Sequence, residues 1–330
     1  ESGSDGAIAA VRAMDGTTLA IQGPPGTGKT TTGARLIAAL LDDGKRVGVM
    51  ATGHAVILNV LEKLLQQRPD LAGRVLKVGK ESDHPLAVSG AMRLLDSAKA
   101  PDAVAAASCV VGGTAWLFSR PEMIGALDYL FIDEAGQVPL ANAVAAGMSA
   151  RNLILMGDQM QLAQPTQGEH PGESGKSCLA YLLEDRAVIP DELGIFLGTS
   201  FRMHPDVCRL ISESFYEGRL GSHALTAGNH IALPADAPIT TGHGVAFLPV
   251  KHEGNTQGSD EEVAAIVGLV ASLLQGTVTV HGNAPRPMTL DDILIVAPFN
   301  LQVRALRARL GDAECAHLQV EWREIGRAHV

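Results

Sequence analysis

Aromatic side chains are scarce in this sequence: seven Phe, three Tyr and two Trp make up 4% of 330 residues. The core must therefore be aliphatic, and a hydrophobic content of 46% against 19% charged residues supplies one and excludes disorder as the main state. Cysteine is sparse too. Cys109, Cys178, Cys208 and Cys315 stand far apart and form no Cys-x-x-Cys pair. That spacing argues against a zinc ribbon, an iron–sulfur centre or a disulfide framework, and it fits a reducing cytoplasm. No apolar run approaches the ~18–20 residues of a membrane span. The 36 Gly and 17 Pro follow no fixed period, which removes collagen-like and solenoid folds. Positive charge is in deficit, with 26 Lys and Arg against 36 Asp and Glu for a net of −10. The surface as a whole is no magnet for nucleic acid, but a local basic groove is compatible with that balance.

What is present reads as alternating strands and helices, and at ~150 residues per domain the length suggests two domains. Thr18–Ile21 is an apolar strand, followed by a glycine-rich turn and a helix over Thr30–Leu41 with Ala34, Ile37, Leu40 and Leu41 at helical spacing. Val47–Ala51 is the next strand and Ala55–Gln67 the next helix, with Val56, Val60, Leu61 and Leu64 on one face. Further buried strands are expected at Cys109–Val111, Tyr129–Ile132 and Leu153–Met156. Continuous apolar strands alternating with helices predict a parallel α/β sheet covered on both faces. A polar loop over Gln164–Lys176 and a helix over Cys178–Glu184 follow, with a domain boundary expected at 192/193. Beyond it, the pattern predicts strands at Gly194–Leu197, Val245–Leu248 and Ile293–Val296. Helices are expected at Asp206–Phe215, Glu261–Leu274 and Asn300–Leu310.

The chemistry starts at Gly23-Pro24-Pro25-Gly26-Thr27-Gly28-Lys29-Thr30, followed by Thr31, which fits G-x-x-x-x-G-K-[ST] between a strand and a helix. Glycines there let backbone N–H groups curl around phosphate oxygens at the positive end of a helix. Lys29 is placed to reach the β- and γ-phosphates, and the Thr30 hydroxyl to ligate Mg²⁺. Gly172–Ser177 imitates the ending of this motif, but His170 stands where the first glycine belongs and no strand precedes it. It reads as loop, with Ser177 as N-cap of the helix behind it. Tyr129–Glu134 is an apolar strand ending in two carboxylates. In a sheet that also carries a phosphate loop, Asp133 suits Mg²⁺ and Glu134 suits polarising the water that attacks the γ-phosphate. The strand over Leu153–Met156 runs into Gly157-Asp158-Gln159-Met160-Gln161-Leu162, whose polar residues face the same sheet edge. Ser200–Pro205 then places Arg202 just past the domain boundary, within reach of a nucleotide on the first domain. His204 and Cys208 have metal-ligand spacing on a helix, but no second pair answers them. Arg304, Arg307 and Arg309 read as a solvated helix face.

Taken in order, GPPGTGKT, DEAGQ at Asp133–Gln137, GDQMQL at Gly157–Leu162 and FRMHP at Phe201–Pro205 resemble the superfamily 1 helicases. The likeness is to the 5′-to-3′ branch of RNA-decay and DNA-repair helicases, and most of all to bacterial proteins in which such a helicase follows a RecB-type nuclease domain. It covers Leu19 to Leu310. It implies two RecA-like domains with parallel sheets, ATP and Mg²⁺ in the cleft, and single-stranded nucleic acid across their top, with DNA favoured. It also implies that Gln161 senses the γ-phosphate, that Phe201 stacks on adenine and that Arg202 contacts the nucleotide from the second domain. Thr52, in Ala51–His54, and Thr114 match two threonines that contact the strand backbone. Gly53 and His54 depart from that loop's Ser/Thr-Asn flavour, and His54 reads equally as a satisfied loop histidine or as a phosphate contact.

The resemblance further implies segments beyond Leu310 that do not occur, so the second domain is expected to be incomplete. Domains are then 1–192, 193–310 and an unmatched tail 311–330. Back-translation of Ile325–Val330 resembles a sequencing adapter, which makes an artefactual end the expectation there. A GTPase would want Asn-Lys-x-Asp, which is absent. An AAA+ ATPase shares the first two motifs without explaining the later two, and a nucleotide-gated clamp without turnover is the non-enzymatic alternative.

Overall fold

Eight short segments lie side by side in the computed structural model, which describes residues 2–161 and 171–312. They are β1 (Thr18–Gln22), β2 (Val47–Met50), β3 (Val75–Val78), β4 (Met92–Leu95), β5 (Val110–Gly113), β6 (Leu127–Ile132), β7 (Ala150–Gly157) and β8 (Gly194–Phe196). Every pairing is parallel, in the order β4-β3-β5-β2-β6-β7-β1-β8. Parallel neighbours need crossovers, and helices supply most of them. After α1 (Ser2–Arg12), which precedes β1, these are α2 (Lys29–Asp42), α3 (His54–Gln67), α4 (Pro85–Val88), α5 (Ala100–Ala106), α6 (Ala115–Phe118), α7 (Leu140–Gly147) and α8 (Cys178–Leu183).

Side chains alternate across a strand, and here both faces are dry. Val47, Val49, Phe131, Ile154 and Met156 pack with Leu36, Ile37 and Leu40 of α2 and Ile57, Val60, Leu61 and Leu64 of α3. Met50, Leu130, Ile132 and Leu155 form the opposite core with Leu117, Phe118, Ala143 and Leu179. The face expected for α2 is buried throughout; of that expected for α3, Val60, Leu61 and Leu64 are buried, while Val56 is half-buried and Ile57 takes the core position beside it. Strands β3 and β4 are additions, because Lys77 and Arg93 interrupt their apolar pattern. Ser177 caps α8, its side chain accepting from the Ala180 N–H.

The described residues divide into two units after Ser200, with Ser212–Leu220 returning to the first. The boundary expected at 192/193 therefore moves: β8 pairs with β1 through Ala20↔Gly194, Ile21↔Ile195 and Gln22↔Phe196, so it is the last strand of the first sheet. In the second unit, His230–Ala232, Thr277–Thr279 and Arg286–Pro287 form a small antiparallel sheet. Helices Asp260–Leu273 and Asn300–Asp312 pack together, tied by the buried Gln302, whose Oε1 accepts from the Ser259 N–H at 2.7 Å. The strands expected at Val245–Leu248 and Ile293–Val296 form no ladder among the described residues, and Val245, Phe247, Leu294 and Val296 are exposed. A strand needs a neighbour for its N–H and C=O groups, and no described segment provides one. Leu162, the loop residues 163–170 and the expected tail from 313 onward lie outside the described residues. No described helix is long and apolar enough to cross a membrane.

Candidate functional site

Strands β6, β7 and β1 are consecutive in the sheet, so the loops leaving their C-terminal ends are neighbours. From β1 comes the expected phosphate loop, Gly23–Gly28, which feeds α2. Gly26 and Gly28 have φ of +79° and +81°, a left-handed backbone that side-chain-bearing residues resist. The loop is braced from within: the Thr27 hydroxyl donates to the Pro24 carbonyl at 2.7 Å, and the Gly23 N–H donates to the Gly157 carbonyl at 2.9 Å. The Lys29 ammonium folds back to donate to the Gly23 carbonyl. Thr30 and Thr31 lie in the first turn of α2, at its positive end.

From β6 comes the carboxylate pair. Asp133 is 4% exposed, and its Oδ1 accepts from the Glu134 N–H at 2.9 Å. Burial pushes the Asp133 carboxyl up to about 6; the Glu134 charge adds to the rise, while the Glu134 N–H and Lys29 oppose it. Glu134 is also raised by burial, and Lys29 pulls it down. Its backbone is strained, with φ +54°, so the chain turns abruptly once it clears the sheet. A desolvated carboxylate with one backbone donor has acceptor capacity left over, and it lies in the field of Lys29. That donor set, with the Thr30 hydroxyl, fits a hard divalent cation.

From β7 comes Gly157–Gln161. Its backbone is pressed against the turn after Glu134: the Ala135 N–H donates to the Met156 carbonyl at 2.8 Å. A Cβ on Gly157 would lie 2.7 Å from the Ala135 nitrogen, and one on Gly136 would run into the Asp158 carbonyl. Both glycines are thus demanded by close backbone approach. Motif spelling places them, but only the fold explains them. The two glutamines here do different work. Gln159 bonds to the buried Gln22 side chain at 2.9 Å and to the Ala187 carbonyl at 2.9 Å, which binds it into the framework. Gln161, the expected γ-phosphate sensor, is half-buried, with its Nε2 donating to Asp158 Oδ2 at 3.4 Å. Asp158 is buried and also accepts from the Tyr216 hydroxyl at 2.6 Å.

The adjacent strands β2 and β5 carry the other expected residues. Thr52 follows β2 and Thr114 follows β5, and the two line one cavity of about 230 Å³ with Ala115, Trp116, Val138 and Asn142. The two halves of this edge join through the β2–β6 pairing, which a bond from the Asp133 N–H to the Met50 carbonyl at 2.8 Å extends by one step. In the second unit, Phe201 stacks against His223 with ring centroids 4.7 Å apart, and Arg202 is exposed. His204 does not gather with Cys208, which is buried. It stacks on His243 at 4.5 Å, and both imidazoles lie near Asp206 Oδ2, at 3.5 and 2.9 Å.

Two family models described as AAA domain match the chain, one over residues 4–173 and one over 176–325. Among curated proteins, the DNA-binding protein SMUBP-2 of Mesocricetus auratus is 25% identical, over 88% of this chain and 35% of its own length. The DNA replication ATP-dependent helicase/nuclease dna2 of Schizosaccharomyces pombe is 29% identical, over 61% of this chain and 14% of its own. The regulator of nonsense transcripts 1 homolog of Drosophila melanogaster is 26% identical, over 78% and 24%. The chain thus spans about a third or less of these relatives. A solved arterivirus helicase, nonstructural protein 10 with DNA, is 17% identical over 67% of this chain and 43% of that one, with a TM-score of 0.40.

Proposed function

The chain belongs to the AAA domain family, on its superfamily 1 helicase side, and on that footing we propose that it is an ATP-driven motor core that moves along single-stranded nucleic acid, DNA before RNA. The observation that carries this reading is the order β5-β2-β6-β7-β1. It sets the phosphate loop, the Asp133–Glu134 pair and the Gly157–Gln161 turn side by side, with Thr52 and Thr114 sharing a cavity next to them.

In this reading the loop from Gly23 to Gly28 wraps the ATP phosphates, and Lys29 leaves the Gly23 carbonyl for the β- and γ-phosphates. Thr30 and Asp133 would hold Mg²⁺, which when bound neutralises charge on those phosphate oxygens. Glu134 takes the proton from the water that attacks the γ-phosphorus, so the bond to ADP breaks as the new P–O bond forms. Desolvation raises the basicity of its carboxylate and suits it to that task. Gln161 reports the γ-phosphate, and, as the resemblance implies, Phe201 stacks on the adenine and Arg202 supplies positive charge to the nucleotide. Thr52 and Thr114 hold the strand's phosphates.

The test is Mg²⁺-dependent ATP turnover with and without an oligo-dT strand, for the chain and for Lys29→Ala. Turnover in the chain that Lys29→Ala abolishes supports the reading. Turnover equal in the two would overturn it, as would equal nucleotide affinity in a parallel binding titration.

A further inference from the structure

On the strand-contact half of the sheet edge, next to Thr52 and Thr114, stands an indole that the fold leaves in water: Trp116, in α6, is 85% exposed. It lines the cavity holding both threonines. It also lines a larger one of about 630 Å³, shared with Thr114 and with His54, Lys80, Ser97 and Arg120. Lys80 and Arg120 are the cations of this cavity and Glu81, held by Lys77, its carboxylate; an exposed aromatic beside cations is the combination that single strands use, because every base has a π-face and every phosphate a charge. Beside it, the Arg120 Nε is buried with no hydrogen-bond partner among the described residues; its Nη1 reaches Ser97 Oγ at 3.5 Å and its Nη2 reaches the exposed Glu122 Oε1 at 3.4 Å, long contacts that a phosphate can displace.

The floor of this cavity explains His54. Lys77, at the end of β3, is 0% exposed. Its ammonium donates to Glu81 Oε2 at 2.6 Å and lies 3.1 Å from His54 Nδ1. An ammonium has no lone pair, so in that contact the imidazole nitrogen must accept. Glu81 Oε1 is also near Nδ1, but farther off at 3.5 Å, and a proton on Nδ1 would face the buried cation. The proton of the neutral ring therefore sits on Nε2, and the side chain is half-exposed with a donor to offer. The buried Lys77 ammonium, paired with the partly exposed Glu81, thus sets the tautomer of the residue that departs from the family's loop pattern.

We propose that Trp116, His54 and Arg120 form a nucleotide subsite on the strand path, with one base stacked on the Trp116 indole. The flanking phosphate takes hydrogen bonds from His54 Nε2 and the Arg120 guanidinium. The subsite rests on the helicase reading, since it places one nucleotide of the strand that the motor grips.

The experiment uses the full chain carrying Trp322→Phe, which leaves Trp116 as its sole tryptophan. Oligo-dT and oligo-U are titrated against its emission, and the more tightly bound of the two identifies the sugar. Quenching on binding is expected. Trp116→Ala should weaken oligo-dT binding about 5- to 150-fold, the range for loss of one stacked base, and should leave binding of an abasic strand unaltered. Arg120→Ala should make the salt dependence of log K shallower by about 0.7, the value of one single-strand phosphate, while Trp116→Ala leaves that slope alone. His54→Gln, which keeps a donor, should bind better than His54→Ala. If oligo-dT binds with unchanged Trp116 emission and Trp116→Ala binds it equally well, the subsite is wrong and the helicase reading stands. If the chain binds no strand even at low salt, both fall.

Discussion

Tyr216 donates its phenolic hydroxyl to Asp158 Oδ2 at 2.6 Å, with both residues buried in the first unit although 58 positions apart in sequence. Burial, and then the adjacent carboxylate, push the Tyr216 hydroxyl up from its ordinary value, so it stays a donor at any working pH. Asp158 also accepts from the Met160 N–H at 3.2 Å and from Gln161. The hydroxyl therefore helps fix the carboxylate from which the expected sensor glutamine hangs. Tyr216→Phe keeps the ring and removes this bond. The expected loss is about 1–3 kcal/mol, the cost of leaving a buried acceptor short of a donor. Urea unfolding should show the midpoint falling with an unchanged slope, and an unchanged midpoint would mean that the bond contributes nothing.

Glu134 allows strain and chemistry to be separated. Glu134→Gln keeps the shape and loses the base, so ATP should bind normally while hydrolysis drops by about 10²–10⁴. Glu134→Gly should be equally inactive yet more stable by up to about 1 kcal/mol, because glycine occupies φ +54° without a Cβ penalty. Turnover assays paired with thermal melts read both effects. A destabilised glycine variant would show that the side chain's packing outweighs the backbone strain.

The Asp133 carboxyl titrates near 4 in an unfolded chain and at about 6 when folded. The folded chain holds this proton to higher pH, so the stability linked to it is full below about pH 4 and is lost as pH rises through about 6. Two pKa units correspond to about 3 kcal/mol. Asp133→Asn should flatten the stability profile across that window and leave the nucleotide-free chain up to about 3 kcal/mol more stable near neutral pH. It should also lose Mg²⁺-dependent nucleotide binding. Urea melts at a series of pH values check the first part, and a nucleotide titration with and without Mg²⁺ the second.

Gly157→Ala is a test of backbone crowding. The new Cβ would lie 2.7 and 2.8 Å from the Ala135 and Gly136 nitrogens, atoms of a turn that cannot yield as a side chain would. A loss of about 1–3 kcal/mol is expected, together with impaired turnover, because the displaced turn carries Glu134. Wild-type stability in the variant would show that the two turns have room to part.

The sequence made the first sheet legible because its strands are buried on both faces and so spell themselves as apolar runs. The glycine-rich loop Gly23–Gly28 and the Asp133–Glu134 pair stand out in the sequence by their spacing, and the strand order sets them at neighbouring strand ends. Strands β3 and β4 were hidden by Lys77 and Arg93, and no local rule predicts that Lys77 is fully buried; only Glu81 and His54, brought close by folding, make that tolerable. The boundary was misplaced because Gly194–Phe196 looks the same whether it closes one sheet or opens another. Val245–Leu248 and Ile293–Val296 have strand composition, but a ladder is a property of two segments, and composition reports on one. The Asp158–Tyr216 bond joins distant positions, which spacing cannot reveal.

The rung between the Asp133 N–H and the Met50 carbonyl sets a scale for how loudly the two halves of the edge can speak to each other. Two residues past Met50 the chain is already at Thr52, so in the proposed reading the nucleotide and strand sites adjoin. A single backbone hydrogen bond has a net worth of about 0.5–1.5 kcal/mol, or roughly two- to twelvefold in an equilibrium constant. Were this rung to open when one half is filled, affinity at the other would change by about that factor, and the reverse effect would be equal. Such a joint behaves as a stiff, low-gain lever: it transmits at once and amplifies little. Protection of the Asp133 amide from hydrogen exchange, compared with and without an oligo-dT strand, is the direct measure of that lever at work.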